Sequence, residues 1–255
     1  MGRKVITLRE FFLGMQNLII EIGNTAVKAA WAEGRTIGKT FRYQGERVRK
    51  FVLSLTETEK PAVMIISSVN EIPQQDEAEY AARCGRLVIM DSAHSLVFEE
   101  LGLPAWLSGD RAASVAAVRH LFRGRGCTVM DFGTTLTIDF IDGDGSWRGG
   151  NISLGCRTRF KALNRYSRAL PLIDTPSETA FPGDSLTSSM SSGVVSGIMF
   201  EIEGYASSFP DNVIVFTGGD ANYFAKRMKN SIFVVCNLVL IGLALIADGY
   251  VEKDV

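Results

Sequence analysis

Leu18-Ile19-Ile20-Glu21-Ile22-Gly23-Asn24-Thr25 is matched, position for position, by Thr128-Val129-Met130-Asp131-Phe132-Gly133-Thr134-Thr135. Each segment is an apolar run, an acid, one apolar residue, a glycine, a small polar residue and a threonine. A second apolar or alternating run follows each, Ala26 to Ala32 and Leu136 to Asp142. The pattern reads as strand, tight glycine turn, strand. Two widely separated copies predict a duplicated α/β chain of two lobes, each contributing one jaw of a nucleotide site.

The residue types suit phosphate. Glycine lets backbone N–H groups approach an anion closely. Asn24, Thr25, Thr134 and Thr135 add amide or hydroxyl donors for phosphate oxygens. Glu21 and Asp131 would repel phosphate, so they suit a hydrated Mg2+ or a monovalent cation that itself touches phosphate. One acid-x-Gly-x-Thr match is equally well an ordinary hairpin; two copies in register favour phosphate. Gly34-Arg35-Thr36-Ile37-Gly38-Lys39-Thr40 imitates a P-loop, but three residues separate its glycines instead of four. It also follows the second strand of a hairpin, so it is rejected.

Composition narrows the function classes. The chain has 255 residues, 27 Lys plus Arg and 28 Asp plus Glu, a net charge of −1. No partner held by bulk charge is expected, neither nucleic acid nor membrane. Cys84, Cys127, Cys156 and Cys236 show no metal-ligand spacing, and only His94 and His120 could assist them, so no zinc site is expected. These read as reduced, mostly buried thiols of a cytoplasmic protein. Met1 to Gln16 has no sustained apolar stretch and reads as an N-terminal extension without a secretory signal. The apolar run Ile232 to Ala247 is interrupted by Asn237 and falls short of the roughly 20 residues a bilayer span needs. It reads as a strand end and then a core helix, Leu238 to Ala247.

Strands and helices alternate between the hairpins. Helices are expected over Glu46–Leu55 and Gln74–Arg83, with strands over Ala62–Ser67 and Leu87–Met90. The turn-rich Leu103 to Gly109 delivers Asp110 to the start of a helix with Val115, Val118 and Phe122 on one face. After the second hairpin come a Gly-rich bend over 143–150 and a helix over Arg157–Leu170, whose basic series reads as a solvated face. A polar loop, Asp174 to Ser185, precedes a helix over Leu186–Tyr205. Val213–Phe216 is a buried strand running into Thr217-Gly218-Gly219-Asp220-Ala221, a turn of the kind where nucleotides dock. The lobes are expected over 17–111 and 112–255, after an extension over 1–16.

In order, these motifs resemble the acetate and sugar kinase, heat-shock ATPase and actin superfamily, and within it type III pantothenate kinase. The residues that carry the resemblance are Glu21-Ile22-Gly23-Asn24-Thr25, Ser108-Gly109-Asp110-Arg111, Asp131-Phe132-Gly133-Thr134, Gly149 to Gly155 and Thr217 to Ala221. It implies a duplicated, two-lobed, ribonuclease H-like (actin-like ATPase) fold. It also implies ATP-dependent phosphorylation of pantothenate, the first step of coenzyme A synthesis, by a homodimer using Mg2+ and a monovalent cation, K+ or NH4+. Asp110 matches the catalytic acid that acts on the pantothenate hydroxyl. Ser108, Gly109, Asp110 and Arg111 match the acceptor-binding segment, with the Arg111 fork suited to a carboxylate. Glu21, Ile22, Gly23, Asn24, Thr25, Ala26, Val27 and Lys28 match a nucleotide-binding run, joined by Thr134, Gly218 and Gly219. Asp131 matches the monovalent-cation ligand, and Glu21 an organiser of Mg2+. Asp110 is equally placed to be a helix N-cap.

The chain departs from the family pattern at Glu21 (Asp in the family), Ser108 (Gly), Leu154 (Pro) and Leu186, which falls where the family has a substrate-binding Thr. Intact Asp110 and Asp131 favour an enzyme. Glu21 and Leu186 favour the alternative, a non-catalytic nucleotide- or pantothenate-binding homologue with a regulatory role. A third reading is a kinase of the same superfamily acting on another small alcohol.

Overall fold

A computed structural model describes residues 16–253, so the expected extension over 1–16 lies almost wholly outside the described residues. The chain divides into two units. The first contains β1 (Asn17–Ile22), β2 (Val27–Glu33), β3 (Thr36–Tyr43), β4 (Val63–Ser68) and β5 (Arg86–Met90). Its helices are α1 (Val48–Ser54), α2 (Gln74–Ala82), α3 (Leu96–Glu100), α4 (Gly109–Leu121) and, from the end of the chain, α8 (Leu238–Lys253). The second contains β6 (Cys127–Phe132), β7 (Thr135–Ile141), β8 (Trp147–Leu154), β9 (Val213–Gly218) and β10 (Ile232–Val234). Its helices are α5 (Cys156–Tyr166), α6 (Leu186–Ser208) and α7 (Ala221–Ala225).

The two sheets have one topology. The first runs β3-β2-β1-β4-β5 and the second, read from its other end, β8-β7-β6-β9-β10. In each, the hairpin and its third strand are antiparallel, and the remaining two strands join parallel to the hairpin's first strand. This is the actin-like ATPase arrangement in duplicate. Parallel strands covered on both faces must be apolar on both. β4 meets that rule over Val63 to Ile66, and its two terminal serines are buried with them. The first core gathers Leu18, Ile20, Val52, Met64, Ile66 and Tyr80; the second gathers Met130, Ile138, Phe160, Ile198, Phe216 and Phe224.

Several boundaries differ from those expected. β3 takes up the imitation P-loop from Thr36 onward, and β8 takes up the second half of the Gly-rich bend, leaving a turn closed by Asp142 N–H to the Ser146 carbonyl, 2.9 Å. The first unit extends through Leu121 and takes back α8, rather than ending at residue 111. α8 packs against α4, β1 and β4, so the apolar terminus serves the first core. Among the described residues no helix is long and apolar enough to cross a membrane. Three cysteines are buried, while Cys236 is exposed.

Candidate active site

In the first lobe, strand pairing sets Glu21 directly opposite Lys28. The Lys28 Nζ donates to both carboxylate oxygens, at 3.0 and 3.3 Å. Burial pushes the Glu21 carboxyl above its ordinary value; Lys28 pulls it back and the negative charge of Asp110 adds to the rise. Glu21 pairs in register with Ser67, the residue onto which Gly109 packs, so Asp110 is brought to the same end of the sheet as Glu21 although far from it in sequence. At the turn, Gly23 N–H meets the Ala26 carbonyl at 3.1 Å, leaving Asn24 and Thr25 exposed at the tip. Val27 belongs to the core and Ile22 packs against it, so their contribution to any ligand is backbone only.

α4 delivers Asp110. The Ser108 carbonyl accepts the Ala112 N–H at 3.0 Å, making Ser108 the residue at the helix start. Asp110 lies inside the first turn, where one of its oxygens accepts the Arg111 N–H at 2.8 Å. Gly109 is required by close approach: a Cβ there would come within 2.6 Å of the Met90 carbonyl and the Ser67 hydroxyl. The helix start is thereby pressed onto the carboxyl ends of β4 and β5, the place where open α/β sheets present ligand-binding groups. Arg111 is only 4 % exposed, so any contact with an acceptor is made from within the helix end.

In the second lobe, Asp131 is the last residue but one of β6 and pairs in register with Thr217. Gly218 has φ +90°, and a Cβ on it would strike the Asp131 carboxylate and the Phe132 backbone. The glycine turn is therefore seated directly on the second hairpin. The Thr134 carbonyl accepts the Gly155 N–H at 3.1 Å and the Thr158 hydroxyl at 2.6 Å, fixing the hairpin tip against the start of α5. Gly219 stands exposed beside it. Asp131, Thr134, Gly218 and Gly219 thus lie on one end of the second sheet, as Glu21, Asn24, Thr25 and Asp110 lie on one end of the first.

Three features escaped sequence reasoning. Burial pushes the Asp220 carboxyl up, with Arg157 opposing. The segment 174–177 is tied to α5, α7 and the residues after α7: Tyr223 donates to the Pro176 carbonyl at 2.7 Å, Arg227 to the Ser177 carbonyl, and Arg157 pairs with Asp174 at 2.9 Å. The supposed solvated face of α5 is partly engaged, since Arg159 meets Glu201 at 2.6 Å and the Ser153 hydroxyl at 2.9 Å. Apart from Arg159 and Ser153, these partners lie many residues apart, so no short-range pattern could announce them.

Comparison with known proteins decides the family. The model of the type III pantothenate kinase family matches residues 17–208. This chain belongs to that family. The type III pantothenate kinase of Cytophaga hutchinsonii is 35 % identical over 239 residues, covering 89 % of this chain and 96 % of that one. That of Flavobacterium johnsoniae is 31 % identical, covering 93 % and 99 %. Among solved structures, a conserved putative Baf family transcriptional activator from Campylobacter jejuni matches with TM-score 0.64 and 20 % identity, covering 93 % of this chain and all of that one. A ROK hexokinase from Thermus thermophilus matches with TM-score 0.54 and 13 % identity, covering 94 % and 100 %. At these identities the structural matches establish the fold alone, the two-lobed α/β fold of the actin-like ATPases.

Among the described residues, no three His, Cys, Asp or Glu side chains gather as a metal site. A type III pantothenate kinase does not need such a cage. Mg2+ bound through nucleotide phosphates takes one or two carboxylates and keeps several waters. Glu21 fits that demand, since its burial is incompletely offset by Lys28 and a further cation would favour its ionised form. The Asp131 carboxylate lies beside the Phe132 backbone under Gly218, and the Phe132 carbonyl accepts the Asp220 N–H at 3.3 Å.

Proposed function

We propose that this chain transfers the γ-phosphoryl group of ATP to the hydroxyl of pantothenate, the first step of coenzyme A synthesis. The observation that carries the reading is Asp110, held in the first turn of α4 at the same sheet end as Glu21, because Gly109 packs onto Ser67, the strand partner of Glu21. With one Asp110 oxygen committed to the Arg111 N–H, the other is free to accept the acceptor's hydroxyl proton as that oxygen attacks phosphorus. Such transfer depends mainly on positioning and charge stabilisation. The Gly23 N–H closes the turn on the Ala26 carbonyl, so the backbone N–H groups at Asn24 and Thr25 and the Thr134 side chain suit the phosphates, and Gly218–Gly219 suits the adenosine. Glu21 would hold the divalent cation, which spreads the charge of the transferring group. Asp131 would hold K+ or NH4+.

Ser108 to Arg111 suit pantothenate. The reading includes a cytoplasmic homodimer, and the exposed Ile152, Leu154 and Phe200 of the second lobe agree with association. A non-catalytic regulator is the second reading, favoured by Leu186, an exposed leucine at the start of α6.

The test is ADP release from ATP with Mg2+ and K+, with and without pantothenate. Native turnover that requires pantothenate and drops about 10²–10⁴-fold in Asp110→Asn supports the kinase and its base together. A folded chain that binds nucleotide but releases no ADP supports the regulator.

A further inference from the structure

Glu21 carries one methylene more than the family's aspartate, so its carboxylate has an extra rotatable bond to fix. Displacement of a reacting or metal-holding group by about 1 Å can cost roughly 100-fold in rate. Something must therefore restrain it. Across the first sheet, Glu21, Lys28 and Arg42 form one row on neighbouring strands β1, β2 and β3. Lys28 stands between an acid and a like charge, and like charges directly opposite repel. Its ammonium accordingly turns to Glu21 and straddles both oxygens. The Glu21 side chain is 14 % exposed and that of Lys28 38 %, so the pair is partly shielded from water.

We propose that Lys28 is a positioning residue that acts through Glu21, holding the longer carboxylate in the plane and place from which it serves the nucleotide's divalent cation. The inference rests on the kinase reading, in which Glu21 has that duty. It differs from assigning Lys28 to phosphate in that the ammonium acts through the carboxylate whose two oxygens it meets. β2 is paired on both sides, so the backbone carrying Lys28 is fixed and the restraint is transmitted to Glu21. The Asp110 charge, which also faces Glu21, makes this neutralising cation more valuable to the pair of acids.

The experiment measures ATP binding calorimetrically, with Mg2+ and again with excess EDTA, for the native chain, Lys28→Met, Lys28→Arg, Glu21→Asp and the double variant Glu21→Asp/Lys28→Met. Groups that orient a metal ligand are typically worth 10–100-fold in metal affinity. Lys28→Met should weaken MgATP binding about 10-fold or more while leaving metal-free ATP within about 2-fold, and Lys28→Arg should retain most of the native affinity. In the Glu21→Asp background the shorter carboxylate no longer depends on Lys28, so Lys28→Met should cost less than about 2-fold, a non-additive cycle. Equal weakening of both ATP forms, or the same loss in both backgrounds, would mean that Lys28 contacts phosphate on its own account and would overturn the inference alone. A folded native chain that binds neither form would overturn the kinase reading and this inference with it.

Discussion

At Gly218 a φ of +90° coincides with direct contact onto Asp131 and Phe132, so the residue meets two independent demands. A side chain costs conformational energy at such a φ and must also displace a carboxylate and a backbone. Gly218→Ala is expected to lower stability by about 2–4 kcal/mol and to weaken ATP binding at least 10-fold, since the turn can no longer seat on the hairpin. Thermal unfolding and nucleotide titration check this together; an alanine variant with native affinity would dissociate the turn from nucleotide binding. Leu186 is the opposite case, 55 % exposed and unable to hydrogen-bond a ligand. Restoring a hydroxyl with Leu186→Thr should lower the KM for pantothenate about 3–10-fold, the worth of one hydrogen bond, and leave kcat little changed. An unchanged KM would remove this position from the acceptor site.

At the scale of elements, legibility followed burial. β1, β4, β6 and β9 were readable because buried parallel strands are almost uniformly apolar. β3 and β8 were not, because an exposed edge strand need not alternate: Thr36-Ile37-Gly38-Lys39-Thr40 and Arg148-Gly149-Gly150-Asn151 carry polar and glycine residues that imitate loops. The hairpin acids and Asp110 were legible from short motifs, whereas the Glu21–Asp110 proximity depends on sheet order and on how Gly109 packs. Asp91, the residue after β5, shows the same dependence. Burial pushes its carboxyl up, but His94 Nδ1 at 2.7 Å and the N–H groups of Ile72 and Ala93 at 2.9 and 3.0 Å more than offset this, and the net direction is downward. A carboxyl held below its ordinary 3.8 adds stability that is present above that pH and lost as pH falls through the lower folded value. Asp91→Ala, which strands three donors, should cost about 1–3 kcal/mol at pH 7 and less near pH 2. Denaturant unfolding at both pH values decides it; a pH-independent loss would assign the effect to packing alone.

For the whole chain, duplication of the sheet does not make the two halves equally self-sufficient. The second unit is continuous, Phe122 to Asn237, with its own five-stranded sheet and core. The first is built from two separated stretches, because α8 covers β1 and β4 and lies along α4. In α8 the side chains of Leu238, Leu240, Leu243, Ile246 and Tyr250 are almost fully buried. At about 1.5–3 kcal/mol for each large apolar side chain, their burial contributes roughly 8–15 kcal/mol, as much as the entire stability of a typical domain. Residues 122–237 expressed alone should therefore unfold cooperatively, whereas residues 17–121 alone should not fold. Joining 17–121 to 238–253 through a flexible linker should restore a cooperative transition, because the missing cover returns to the same sheet. Circular dichroism melts of the three fragments separate the outcomes: a cooperative melt of 17–121 without α8 would show that the last helix is dispensable to the first core. If instead α8 is required, the chain's final apolar run completes the scaffold that places Glu21 beside Asp110, and substitutions along it should disturb activity without touching either carboxylate.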